Sequence, residues 1–295
     1  MRLKLVLLSA MAAALAIWLV PAASATYGKG HDSRGHDRNS ATVNVVHGIP
    51  GAVVDVCASG EITKGQFAAV ITEFEFTQIE KLYLPAGKYD IKVVGSGEGC
   101  STKALAPGLE LNEPAAVPAG ANISIVANLT EDGSAALTVG VNDTSKLGWG
   151  QARVTAYHTA AADAVDIWAA ARDKSSKAIA LYGDFGPALT GLTNGSSKSG
   201  DVEANRYKLA IAAESTSAKD AVKTLREKLK RNKNTIFYAV GSLEKGTFTV
   251  LKQRIKVDRY HYAKRAAKHD GAREKHDEYI KHDNHKKYEH SKSHR

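Results

Sequence analysis

Residues 41–56 read ATVNVVHGIPGAVVDV, and residues 152–167 read ARVTAYHTAAADAVDI. The two stretches align without a gap, with identities at Ala41/Ala152, Val43/Val154, His47/His158, Val54/Val165 and Asp55/Asp166. Further along, GKYDIKVV from Gly87 aligns with NRYKLAIA from Asn205, and NISIVA from Asn122 aligns with TIFYAV from Thr235. Order is kept while the spacing drifts by a few residues, as insertions in surface loops produce. A unit of about 110 residues is the size of one β-sandwich and too long for a solenoid repeat. The chain therefore reads as one sheet-forming unit copied once.

Apolar residues in each copy recur with a period of two, the signature of strands with one buried face. Val43, Val45 and His47 alternate, and the turn at 48–51 leads to Val53–Cys57 as the expected hairpin partner. The same alternation runs through Leu82 and Leu84, through Tyr89, Ile91 and Val93, through Ile123 and Ile125, and over 135–141. With Leu109–Leu111 as a short strand, each copy has about seven strands, the number of an immunoglobulin-like sandwich. The expectation is an all-β protein of two tandem immunoglobulin-like antiparallel β-sandwiches, at 41–150 and 151–257. Each copy is expected to bury its own apolar side, with Val43, Val45, Ile91, Val93, Ile123 and Ile125 pointing inward. Residues Ser217–Lys230 fit either a helix or a strand with a basic face.

The flanks differ in kind. Arg2 and Lys4 precede an apolar run from Leu5 to Val20, and Ala23-Ser24-Ala25 follows as a small-x-small cleavage pattern. Residues 1–25 are read as a signal peptide, which makes the protein exported, either to the cell envelope or to the medium. Residues 26–40 are a polar, flexible leader, and residues 258–295 a disordered tail with seven histidines. No later window is apolar for long enough to span a membrane as a helix.

The 295 residues carry 40 Lys+Arg against 31 Asp+Glu, a formal charge of +9. The charge is split: residues 41–150 hold 6 basic and 12 acidic side chains, and residues 151–257 hold 18 and 10. Opposite net charges favour attraction between the halves or to a neighbouring molecule. Export and an acidic first half argue against a nucleic-acid partner. An anionic envelope polymer or a surface protein is expected instead. The sequence leaves the oligomeric state open.

Two cysteines, Cys57 and Cys100, fall in copy one, where an exported protein is expected to join them as a disulfide. His47 with Asp55 and His158 with Asp166 are repeat-equivalent pairs. They are read as structural polar pairs that fix strand register, since no nucleophile accompanies either at a repeated position. No catalytic fingerprint appears in a supporting context, so an enzyme is not expected. No resident cofactor is expected. In the tail, His276, His282, His285, His290 and His294 stand near acids and could hold Zn, Cu or Ni weakly, which makes metal sequestration the alternative function. Asn-x-Ser/Thr sequons at Asn122, Asn128, Asn142 and Asn194 matter only in a glycosylating host.

The block VNVVHGIPGAVVDV from Val43-Asn-Val onward, LPAGKYDIKV from Leu84 and PAGANISIVA from Pro118 resemble the exported bacterial family called domain of unknown function 4397. Copy one is the closer match, including Gly99-Cys100. Copy two keeps His158, Asp166 and Tyr207 but lacks the Gly-Ile-Pro-Gly turn and the Pro-Ala-Gly. The resemblance implies secreted or surface-attached sandwich modules, often in tandem, and carries over no activity.

Overall fold

The alternating runs become strands in the computed structural model, which describes residues 39–173 and 182–257. Copy one contains β1 (Ser40–His47), β2 (Val53–Ser59), β3 (Ala68–Glu75), β4 (Ile79–Pro85), β5 (Gly87–Gly95), β6 (Ala115–Val117), β7 (Asn122–Leu129) and β8 (Ala135–Val141). Copy two contains β9 (Gln151–His158), β10 (Val165–Ala171), β11 (Gly186–Leu192), β12 (Ser196–Glu203), β13 (Arg206–Ala213), β14 (Lys223–Lys228), β15 (Lys233–Val240) and β16 (Thr249–Lys256). The expected signal peptide at 1–25 and histidine tail at 258–295 lie outside the described residues, as does the expected leader at 26–40 except for Asn39 and Ser40, and Ser40 already opens β1. Among the described residues, no helix is long and apolar enough to cross a membrane.

Topology repeats strand for strand. Copy one pairs β4-β1-β7-β8 in one sheet and β3-β2-β5-β6 in the other; copy two pairs β12-β9-β15-β16 and β11-β10-β13-β14. Most pairs are antiparallel, but β1 with β7 and β9 with β15 run parallel. The expected hairpin between β1 and β2 does not form, because the 48–51 turn carries the chain from one sheet to the other. Strand β3 was not anticipated, and Leu109 belongs to a 3-10 turn at Pro107–Leu109 rather than a strand. The undecided Ser217–Lys230 segment is a short 3-10 turn at Ala218–Asp220 followed by strand β14.

Register corrects one alignment. Asn122 pairs with Thr42, while Asn234 pairs with Arg153, so Asn122 corresponds to Asn234 and not to Thr235. In a strand that single-residue difference exchanges the two faces. Ser124 and Val126 thus match Ile236 and Tyr238, whose side chains do not enter their own sandwich at all.

Val43, Val45, Ile91, Val93, Ile123 and Ile125 all lie in the core of copy one, with Phe74, Tyr89 and Leu109. Copy two fills the equivalent space with Val154, Tyr207, Leu209, Leu229 and Phe237 toward one end, and Val165, Ile167 and Ile211 toward the other. Each sandwich also keeps a tyrosine corner where the chain crosses between sheets, from β4 to β5 and from β12 to β13: Tyr89 donates to Pro85 O and Tyr207 to Glu203 O, both at 3.0 Å.

The expectation that each copy hides its apolar surface wholly within itself is incomplete. The outward faces of β1 and β7 pack on those of β9, β15 and β16, burying Val46, Val126, Tyr157, Ile236, Tyr238, Val240 and Ile255 in a shared core. Both copies use the same strands for this contact. A polar seam crosses it. Ser124 Oγ lies 2.6 Å from Tyr238 OH, Tyr157 donates to Asn142 Oδ1 at 2.9 Å, and Gln253 donates to Asn44 Oδ1 at 2.6 Å. The Tyr157 and Tyr238 rings stack with centroids 5.1 Å apart. A side-chain carbon on Gly140 would come within 2.4 Å of Tyr157 OH, which explains glycine there. Charge enters at Arg153, which pairs with Asp143 and with Asp201 at 2.7 Å each. The joint itself is apolar and hydrogen-bonded, with the Arg153–Asp143 ion pair joining residues of the two halves.

Candidate functional site

The repeated histidines and aspartates sit at the turns that link the sheets, and each serves the backbone rather than its sequence partner. His47 Nε2 donates to Ala52 O at 3.2 Å, and His158 Nε2 to Asp163 O at 2.8 Å. A carbonyl can only accept, so Nε2 carries the proton and Nδ1 has a lone pair. Burial pushes both imidazoles below the usual histidine value. Asp55 accepts from Glu73 N, Ser96 Oγ and Gly97 N, and Asp166 from Gly191 N and Ser215 N. Glu73 and Gly191 have φ of 54° and 59°, so each carboxylate holds a left-handed bulge in its edge strand. The sequence reading paired each histidine with the aspartate eight residues on, whereas the hydrogen bonds of both groups run mostly to main-chain atoms, which side-chain patterning does not display.

Cys57 and Cys100 form a disulfide with Cα atoms 5.7 Å apart. It ties β2 to the long segment between β5 and β6. Lys92, opposite Cys57 on β5, is buried beneath that segment, donating to Thr102 O at 2.8 Å with Nζ 4.3 Å from the Phe67 ring. The sequons are largely closed: Asn128 and Asn142 are buried, and Asn194 donates to Leu129 O and Ala160 O. The five tail histidines, His276, His282, His285, His290 and His294, lie outside the described residues. Among the described residues, no group of three or more His, Cys, Asp or Glu side chains is placed to hold a metal.

A different surface gathers the charge of copy two. On β13, Tyr207, Leu209 and Ile211 enter the core, so Arg206 and Lys208 face outward. On β14, Leu225 and Glu227 face inward, as does Leu229 just past its end, Glu227 taking Lys252 and Arg254 from the opposite sheet. Arg226 and Lys228 therefore face outward too. Register sets Lys208 directly opposite Arg226, and Arg206 directly opposite Lys228. Arg172 extends the second row, its N–H bonded to Arg206 O at 2.8 Å. Like charges facing across a pair of strands cost up to about 1 kcal/mol.

Aromatic rings border the same face. Lys208 Nζ lies 5.5 Å from the Phe185 ring centroid, and Arg226 Cζ lies 5.9 Å from that of Tyr182. Trp168 stands beside Ala210, two residue pairs along from Lys208 and so on the same face. Trp168 Nε1 and Arg172 Nε are buried donors without a partner. Copy one has no such face. Its β5–β6 pairing sets Lys88 opposite Ala116, and Asp90 stands in the place of Lys208. Composition located the excess charge in copy two, but only the β13–β14 register shows that four cations meet in pairs.

Residues 41–168 match the family model described as Domain of unknown function (DUF4397), a stretch that covers copy one and runs into β10. No curated protein matches the chain. Among solved structures, the chain is similar to the Bacillus anthracis TIE protein (10% identity, TM-score 0.21), covering 69% of this chain and 34% of that one. The chain thus spans about a third of that protein's length. It is also similar to a candidate cell adhesion protein from Bacteroides uniformis (9% identity, TM-score 0.24), covering 76% and 100%. A third is the tip fimbrial protein Mfa3 from Porphyromonas gingivalis with C-terminal truncation (11% identity, TM-score 0.22), covering 75% and 99%.

Proposed function

For a chain whose residues 41–168 are a DUF4397 domain, we propose the role of an exported, non-catalytic binding protein that holds an anionic envelope polymer on the outer face of β13 and β14. The observation that carries this reading is the pairing of Lys208 with Arg226 and Arg206 with Lys228. Cations placed opposite one another raise the energy of the empty face, and an anion laid between them lowers it. Flat aromatic and aliphatic surface beside the charges suits sugar rings, so the polymer is an acidic polysaccharide. A non-catalytic role accords with His47 and His158, both buried and committed to carbonyls of their own turns.

The test is calorimetric titration of the full chain with polygalacturonate, with neutral dextran as the control. The account expects saturable binding to polygalacturonate that weakens steeply with salt, and none to dextran. Lys208→Ala with Arg226→Ala should lower the affinity at least tenfold. Equal binding to both polymers, or an affinity unchanged by the double substitution, would remove this face as the site.

A further inference from the structure

The two copies finish the same edge of the sandwich differently. In copy one β8 is the last strand of its sheet, and in copy two β16 holds that place. Val139 and Val141 stand opposite Ile125 and Ile123, which lie in the core, so both valines face inward. The equivalent positions of β16, opposite Phe237 and Thr235, are Lys252 and Arg254, and Glu227 of the other sheet pairs with both. Inward charges at an edge block the addition of a further strand. Copy one sets the two valines there instead, 40% and 68% exposed. Asn142 N donates to Asn122 O at 2.7 Å, so the even-numbered main-chain groups of β8 serve β7. Those of Leu137, Val139 and Val141 turn to the open side, where the sheet ends.

We infer that β8 pairs with β8 of a second copy of this chain, antiparallel about Thr138, joining two copy-one sheets edge to edge. The strand is matched to itself. In that register Leu137 of one chain faces Val139 of the other and Ala135 faces Val141, so each exposed valine gains an apolar neighbour. These odd positions are also the ones whose N–H and C=O turn outward, as strand addition requires. The other edges of the molecule are blunted. Strands β4, β12, β14 and β16 carry charged side chains, β3 and β11 carry bulges at Glu73 and Gly191, and β6 has three residues. Among the described residues, β8 is the one edge strand with neither charge, proline nor bulge, its sequence being AALTVGV. The pairing is continuous with the joint already built, since Gly140 of the same strand packs against Tyr157. A contact of two seven-residue strands belongs to the small, reversible class of interfaces, below about 1,200 Å². It stands independently of the polymer-binding face.

The test is sedimentation equilibrium of the full chain, its concentration raised about a hundredfold from the micromolar level. The apparent mass should climb from that of a monomer toward twice that value. High salt should leave the climb in place, whereas association through the oppositely charged halves would be lost. Val139→Lys with Val141→Arg gives β8 the charges of β16 and should hold the chain monomeric. Should that variant fail to fold, Val139→Pro removes an N–H that faces the open edge and should do the same. Thr138→Cys places a thiol opposite its own copy, where facing Cα atoms are near enough for a disulfide. Mild oxidation should therefore give a covalent dimer from Thr138→Cys and none from Glu244→Cys, on a loop of copy two. A wild type that stays monomeric overturns the proposal, even if its β8 resonances respond to some other extended peptide. So does a dimer that salt dissolves, or one undiminished in a folded β8 variant.

Discussion

Ser124 and Tyr238 meet oxygen to oxygen at 2.6 Å across the joint between the two sandwiches. Tyr238 OH also donates to Gln253 Oε1 at 3.0 Å, and its ring stacks on Tyr157. Burial and the neighbouring Tyr157 push the Tyr238 phenol well above its usual range, with the Ser124 hydrogen bond opposing, so it stays protonated. Equivalent strands supply both sides of this joint, as the two halves of a symmetric dimer would. Here the two partners are joined in one chain.

Because the joint buries apolar side chains and polar groups together, the two copies should unfold as one cooperative unit. Thermal unfolding followed by calorimetry is expected to show a single transition. Tyr238→Phe removes the hydroxyl from Ser124 and Gln253 and should lower stability by about 1–2 kcal/mol in urea titration. Gly140→Val drives a side chain into Tyr157 and should split the transition in two.

The disulfide should matter to copy one far more than to copy two. Cys57 and Cys100 are 43 residues apart, and closing such a loop stabilises by about 4 kcal/mol in the chain-entropy treatment. Reduction, or Cys57→Ser with Cys100→Ser, should lower the unfolding midpoint by a corresponding amount. Hydrogen exchange through local opening should then rise first in β2, β5 and the segment that follows β5, and β13 should exchange faster only to the extent that global stability falls.

His47 and His158 make stability depend on pH in a defined direction. Burial lowers both from 6.5, so the unfolded chain binds protons more readily than the folded one. Their contribution is complete above about pH 6.5 and is lost as pH falls through the lowered folded values. Unfolding free energy measured from pH 8 to 5 should fall below pH 6.5, and the double variant His47→Gln, His158→Gln should flatten that slope.

The duplication, the all-β class and the inward residues of copy one could be read from the sequence because period-two alternation and turn residues are local signals. The hairpin expected between β1 and β2 failed because the Gly-Ile-Pro-Gly turn marks a reversal without saying which sheet receives the next strand. Strand β3 was missed because its residues are mostly exposed and it carries a bulge at Glu73, which breaks the alternation. The joint between the copies was illegible for another reason. Val46 and Val126 read as solvent-facing positions of one-faced strands, and only the packed structure shows that the second face is covered. The basic face needed the strand register, since Arg206 and Lys228 are neighbours only across β13 and β14.

The opposed cations of Lys208 and Arg226 offer the most direct test, because their repulsion and their ligand affinity have one origin. Melting temperatures of the wild type and of Lys208→Glu should be compared at low salt, with and without polygalacturonate. Without polymer, the variant should melt higher, since a Glu–Arg pair replaces two like charges, a change of about 0.5 kcal/mol. Polymer should raise the midpoint of the wild type and leave that of the variant unmoved. A variant that melts lower than the wild type alone, yet gains as much from the polymer, would contradict the account.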